Sequence, residues 1–126
     1  MNFIVRRMTL ADVPQVHAIE TATFPTPWSE QSFIDEMTKN VCARYMVAEE
    51  DGQVIAFAGA WIILDEGHIT NIAVSAPHRG KGVGKAAAQK VRAKLFIGLA
   101  ADKAHGDERS RVHVAAAQHA APGIGH

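Results

Sequence analysis

The sequence predicts one α/β domain, and three observations point there. Strand-like and helix-like hydrophobic patterns are interleaved along the chain, in the order strand, helix, helix, strand, strand, strand, then helix. Its 126 residues suit a single core. A glycine-dense basic turn, Arg79 to Lys85, separates the last of those strands from the last helix.

Phe3 to Arg7 is a short apolar-basic segment that reads as a first strand. Thr9-Leu10-Ala11-Asp12 then resembles a capping box with Asp12 in the glutamate position. Leu10, Val13, Val16, Ile19 and Ala22 form one apolar stripe, so a helix should run until just before Phe24. Pro25 and Pro27 force their predecessors toward extended backbone, which makes the segment Phe24 to Trp28 a loop. Ser29 is a good N-cap for a second helix with Phe33, Ile34 and Met37 on one side. Cys42 to Glu49 reads as a strand with Ala43, Tyr45 and Val47 on one face. Asp51-Gly52 marks a hairpin turn, and Val54 to Leu64 returns, with Gly59 as a bulge. Asp65-Glu66-Gly67 turns again into a strand from His68 to Val74. Pro77 closes that strand, and a helix is expected from about Val83 through Val91 and Leu95.

Composition excludes several functions. Thirteen bases balance thirteen acids, so no global basic field favours nucleic acid. The single cysteine, Cys42, permits no internal disulfide and fits a cytoplasmic protein; we read it as a small buried hydrophobe. The most apolar stretch, Val54 to Leu64, is too short to span a bilayer, and no secretory leader is evident, so no membrane role is expected. Histidines at 105, 113, 119 and 126 are irregularly spaced, and no metal site is expected from them.

The turn from Arg79 to Lys85 carries the chemistry. Gly80, Gly82 and Gly84 let the backbone approach a ligand closely and bare its N–H groups. Those groups lie at a helix N-terminus, where the dipole favours an anion. Arg79, Lys81 and Lys85 add cations, so a phosphate or pyrophosphate is the expected guest. A nucleotide-triphosphate loop of the form G-x-x-x-x-G-K-[ST] does not fit, because Arg79 and Ala86 occupy two required positions. The dinucleotide fingerprint G-x-G-x-x-G fails at Lys85.

What does fit is R-x-x-G-x-G, as Arg79, Gly82 and Gly84, after Asn71-Ile72-Ala73-Val74. On this pattern the chain resembles the GNAT acetyltransferases. Pro27-Trp28-Ser29-Glu30, the run from Leu64 to Val74 and its spacing to the glycine turn are similar to the RimI-type protein N-terminal acetyltransferases. The likeness covers roughly residues 3 to 95. It implies a mixed central sheet flanked by helices, with acetyl-CoA as cosubstrate. Ile72, Ala73 and Val74 would hold the pantetheine arm through backbone groups. Arg79, Gly80, Lys81, Gly82, Val83, Gly84 and Lys85 would hold the pyrophosphate. The Pro25 to Trp28 loop, with Pro27 and Trp28 as its contacts, would border the acceptor, a protein N-terminus of the kind borne by a small-subunit ribosomal protein. Trp28 and Phe24 also read as ordinary core or staple residues, and both readings stay open here.

The likeness fades after Lys94. The family's fifth strand with its glutamate base, and a later helix with its tyrosine acid, have no counterpart in the sequence pattern, and the only tyrosine is Tyr45. The fold is therefore expected to be incomplete after the third helix, with residues 1–95 as the acetyltransferase part. Residues 96–126 are alanine-rich and short of large apolar groups, and they are expected to be poorly ordered or weakly helical, with only Val112 and Val114 hinting at a strand. Without a fifth strand, the His68 to Val74 edge would stand open. No catalytic residue is assigned. The abrupt change of composition inside a helix is what a reading-frame change would leave; translating the coding DNA in its other frames tests that. Three activities remain open: protein N-terminal acetylation, acetylation of a small-molecule amine, or an inactive fragment.

Overall fold

A computed structural model describes residues 3–64, 66–80, 82–95 and 111–114. Five strands form one sheet in sequence order: β1 (Ile4–Arg7), β2 (Ala43–Glu50), β3 (Gln53–Ile63), β4 (Glu66–Val74) and β5 (Arg111–Val114). The first four pair antiparallel and β5 joins β4 in parallel, so the sheet is mixed. Helices α1 (Val13–Thr23) and α2 (Glu30–Lys39) contribute to one core, and α3 (Val83–Leu95) contributes to the other.

The local signals act as expected. The Thr9 N–H donates to the Asp12 carboxylate at 2.7 Å, and Asp12 N–H donates back to the Thr9 carbonyl at 2.9 Å. Arg6 of β1 grips the same carboxylate with two nitrogens, each at 2.8 Å, which fastens the first turn to the sheet edge. Helix α1 stops at Thr23, one residue before Phe24. Ser29 Oγ accepts the Ser32 N–H at 3.0 Å and opens α2. Asp51 and Gly52 both have positive φ, 52° and 82°, the backbone that a tight two-residue hairpin requires.

Two expectations change. The irregularity at Gly59 is real, but the extra residue lies on β4. Gly59 faces Asn71 and Ala60 faces Ile69, which leaves Thr70 without a β3 partner. The reason for a glycine at 59 is steric: a Cβ there would overlap the ring of Tyr45, its partner on β2. The second change concerns the tail. Arg111–Val114 pairs with Glu66–Ile69, so the lower half of the β4 edge is covered. The rest of the tail, 96–110 and 115–126, lies outside the described residues, and the expectation of poor order there is not addressed by them.

The sheet has two differently built sides. Val13, Val16, Ile19, Trp28, Phe33, Tyr45, Val47 and Phe57 form one core. Ala48, Ile55, Ala56, Ala58, Ala60, Ile69, Ala87, Val91 and Leu95 form the other. The buried face of α1 keeps the middle of the expected stripe, Val13, Val16 and Ile19, and adds Glu20, whereas Leu10 and Ala22 at its ends are exposed.

Candidate acetyl-CoA site

Pairing with β5 ends at Ile69, opposite Val114. Beyond that point, Thr70 to Val74 has no strand beside it on that edge among the described residues. One bond fixes which backbone groups face this opening. Ser75 N–H donates to the Ile55 carbonyl at 2.8 Å. Bonded pairs alternate along an antiparallel ladder, so Ala73 and Phe57 exchange hydrogen bonds, while Ile72 and Val74 turn their N–H and C=O groups to the open side. This corrects the expectation for Ala73. Its backbone belongs to the ladder, and the residue is only 5% exposed, in the aromatic core. A ligand along this edge would meet Ile72 and Val74.

The strand leads into a 3-10 turn, Ala76–His78, and then the glycine segment. Gly80 and Gly82 have φ of 74° and 53°, which explains glycine at both. Gly84 serves a different purpose. A Cβ there would overlap the His78 carbonyl oxygen and lie 2.6 Å from Val74 Cγ1, so glycine lets α3 start against the end of β4. The Ala86 N–H donates to the Gly82 carbonyl at 2.8 Å as the first helical bond. The preceding amides of the first turn, Val83 to Lys85, therefore have no intrahelical acceptor. Lys85 is exposed at this helix start and has no ion-pair partner among the described residues. Lys81, expected to face the pyrophosphate, lies outside the described residues.

Arg79 makes contacts that the motif does not reveal. Its Nε donates to the Val74 carbonyl at 3.0 Å, and its Nη2 donates to Thr23 Oγ1 at 2.6 Å. The guanidinium thus caps the end of β4 and ties it to the last residue of α1. The turn has one more fastening. His78 Nδ1 lies 2.7 Å from Ser75 Oγ and Nε2 lies 3.2 Å from the Glu50 carboxylate. A carboxylate only accepts, so Nε2–H donates to Glu50, and in the neutral ring Nδ1 accepts the Ser75 hydroxyl. Glu50 reaches this turn from the far end of β2, and no motif links it to Ser75 and His78.

The Phe24 to Trp28 segment is divided. Pro25, Thr26 and Pro27 are exposed. The Trp28 side chain is in the core, 1% exposed, with ring centroids 5.2 Å from Phe33 and 6.5 Å from Tyr45. Of the two acceptor contacts expected, Pro27 remains at the surface, and the Trp28 indole acts as core. Its backbone N–H donates to the Glu20 carboxylate at 3.0 Å. Glu20 is fully buried, and its other oxygen accepts Asn71 Nδ2 at 3.3 Å. Burial pushes the Glu20 carboxyl above its ordinary range, against the two donors. An acid on the buried stripe of α1, four residues after Val16, was the available signal for it.

Tyr45 is the only tyrosine, and its hydroxyl donates to Glu36 at 3.1 Å inside the core. Desolvation pushes it well above the ordinary tyrosine value. Glu36 also accepts Trp61 Nε1 at 2.6 Å and Asn40 Nδ2 at 3.0 Å. This cluster is structural, and Tyr45 is no proton donor to a surface cleft. Among the described residues, no three His, Cys, Asp or Glu side chains are grouped to hold a metal, and no helix is long and apolar enough to cross a membrane.

Comparison with known proteins bears on this strand-and-loop geometry. The sequence matches the Acetyltransferase (GNAT) family over residues 13–121. The chain belongs to the GNAT acetyltransferase family. A GNAT match through residue 121 runs across β5, in accord with a mixed sheet. The chain is 31% identical over 84 residues to the ribosomal protein bS18-alanine N-acetyltransferase of Escherichia coli (strain K12), covering 65% of this chain and 54% of that protein. A Bacillus subtilis (strain 168) protein, provisionally named for the same activity, is 41% identical over 81 residues, covering 64% and 54%. This GNAT chain thus spans about half the length of the curated relatives it matches. The crystal structure of the Escherichia coli ribosomal-protein-S18-alanine N-acetyltransferase superposes with a TM-score of 0.64 at 26% identity, covering 75% of this chain and 59% of that one.

Proposed function

We propose that this GNAT domain transfers an acetyl group from acetyl-CoA to the α-amino group of a protein N-terminus, and that the acceptor is a ribosomal protein. The observation that carries this reading is the upper half of β4, which has no strand beside it on that edge among the described residues. Its outward Ile72 and Val74 backbone groups lead directly to the first-turn amides of α3, which have no intrahelical acceptor. The two named relatives support the acceptor class.

Acetyl-CoA would supply an activated acetyl group as its thioester. The chain's part is to hold and polarise. The outward N–H and C=O groups of Ile72 and the Val74 N–H would bond an extended amide-bearing arm as a further strand would, the Val74 carbonyl already accepting Arg79 Nε. The first-turn amides of α3, with Lys85, would hold a pyrophosphate. The bulge at Thr70 is the place for an N–H to polarise the thioester carbonyl, where an oxyanion develops as the neutral amine attacks. The amine nitrogen would bond the carbonyl carbon and shed one proton, the carbon–sulfur bond would break, and the leaving thiolate would take up one proton. No base or acid is assigned to either proton.

A second reading is a domain that binds coenzyme A without turnover. It is favoured by the interior position of Tyr45, which leaves the described residues without a tyrosine acid near β4. Acetyl-CoA titration by calorimetry, with thiol release measured on an Ala-initiated peptide, separates the two. Binding with turnover supports transfer, and binding alone supports the second reading. A protein that shows no binding and no turnover overturns both.

A further inference from the structure

The Phe24 to Trp28 loop is anchored by its ends, with the Trp28 ring in the core and Phe24 packed against it. Pro25 and Pro27 have no N–H to donate. The amides at its two ends are bound by one residue. The Phe24 N–H donates to the Glu20 carbonyl at 2.9 Å, and the Trp28 N–H donates to the Glu20 carboxylate at 3.0 Å. The same carboxylate reaches the sheet, where it accepts Asn71 Nδ2 at 3.3 Å. Asn71 Oδ1 in turn accepts the hydroxyl of Thr70 at 2.8 Å. Thr70 is the bulge residue, one position past the last β5 pairing. A continuous chain of bonds therefore runs from the exposed loop, through a fully buried acid, to the point on β4 where the open edge begins.

A second tie runs alongside. Thr23 stands one helical turn after Glu20, on the same side of α1, and accepts from Arg79 at the far end of the open edge. The helix is thus pinned to β4 at both ends of the stretch proposed for the thioester arm. A buried carboxylate is a costly way to fill this space, since an apolar residue of similar volume would lose no hydration. Packing alone does not call for an acid here, whereas setting one loop against one strand does.

We propose that Glu20 is a positioning residue for the acceptor: it sets the Pro25–Pro27 surface at a fixed distance from the reacting segment of β4. The inference rests on the reading of that loop as the acceptor border. Glu20→Gln keeps the volume but replaces one acceptor with a donor, so it can no longer accept both Trp28 N–H and Asn71 Nδ2. Asn71→Ala releases the strand end only.

The test uses the whole chain and two ligands: coenzyme A by calorimetry, and a fluorescent Ala-initiated hexapeptide by anisotropy with coenzyme A saturating. Both variants should bind coenzyme A within about twofold of the wild type and bind the peptide about tenfold or more weakly, since one lost charge-assisted bond is of that order. A purely structural role would weaken both ligands together, and that result overturns the proposal, as does unchanged peptide affinity. If Glu20→Gln does not fold, Asn71→Ala decides by the same ratio. Wild-type protein that binds coenzyme A but not the peptide removes the acceptor assignment and this inference with it. Wild-type protein that binds neither removes the proposed function itself.

Discussion

The two sides of the sheet are built on opposite plans. Under α1 and α2 the filling is aromatic: Trp28, Phe33, Tyr45 and Phe57 interlock, with Phe33 edge-on to Phe57 at 5.9 Å between centroids. Under α3 the filling has no buried aromatic ring: the alanines Ala48, Ala56, Ala58, Ala60 and Ala87 share it with Ile55, Ile69, Val91 and Leu95, and Phe3, Val5, Met46, Ile62, Ile72 and Val74 pack against it. Large rings fill volume and fix α1, α2 and the loop between them. Small residues let a helix come close. The proposed pyrophosphate loop lies on the close-approach side, where Gly84 sits against the carbonyl of His78. One side is vulnerable to truncation, and the other to enlargement.

The largest effect should come from the aromatic side. Phe33→Ala leaves a hole in a fully buried position and should cost about 3–5 kcal/mol, read from urea unfolding. A loss under about 1 kcal/mol would mean that the aromatic cluster relaxes freely, contrary to this account. On the opposite side the matching change is an addition. Ala58→Val should cost about 1–3 kcal/mol by overpacking. Gly84→Ala should weaken coenzyme A binding by about tenfold or more, because backbone must move and with it the helix start; calorimetry reads this directly. Ala58→Val should leave that binding nearly intact, which separates the helix's approach along the sheet from its approach at the loop.

Two buried acids sharpen the contrast through pH. Hydrogen bonds from Arg6 hold Asp12 below its ordinary range. Its contribution to stability is therefore present above the unfolded value of about 3.9 and lost as pH falls through the folded one. Burial holds Glu20 above its ordinary range. Its sign is reversed: the contribution is full below about 4.3 and is lost as pH rises through the folded value. Asp12→Asn should flatten the acid limb of the stability curve, and Glu20→Gln should remove the opposing slope. Curves that shift in parallel would contradict both assignments. The smallest effect expected is that of Lys85→Glu. It should weaken coenzyme A binding up to about tenfold at low salt and less at about 1 M, where the Debye length is about 3 Å. Equal loss at both salts would count against a surface charge acting on a pyrophosphate.

Much was legible in the sequence because its signals are local. Thr9 with Asp12, Ser29, Asp51-Gly52 and Pro25 with Pro27 each specify backbone over a few residues, and the structure follows them. The glycine spacing pointed to a phosphate loop for the same reason. The bulge could be located but not allotted to its strand, since a register shift belongs to a pair and Gly59 alone shows only one member. Trp28 illustrates the same limit: its position after two prolines fits a loop contact or a core ring, and only the seats beside Phe33 and Tyr45 decide.

Taken alone, the sequence determined the element order, the turns that separate the elements and the glycine loop that leads into α3, because each depends on residues close together in the chain. Tertiary structure decided which part of the β4 edge β5 covers, and that Ala73 faces the ladder. It turned the faint signal of Val112 and Val114 into a fifth strand at Arg111–Val114. It also brought Glu20 to Asn71, Glu50 to His78, and Arg79 to Thr23. Those outcomes arise from pairing register and burial between segments tens of residues apart, which no local pattern encodes.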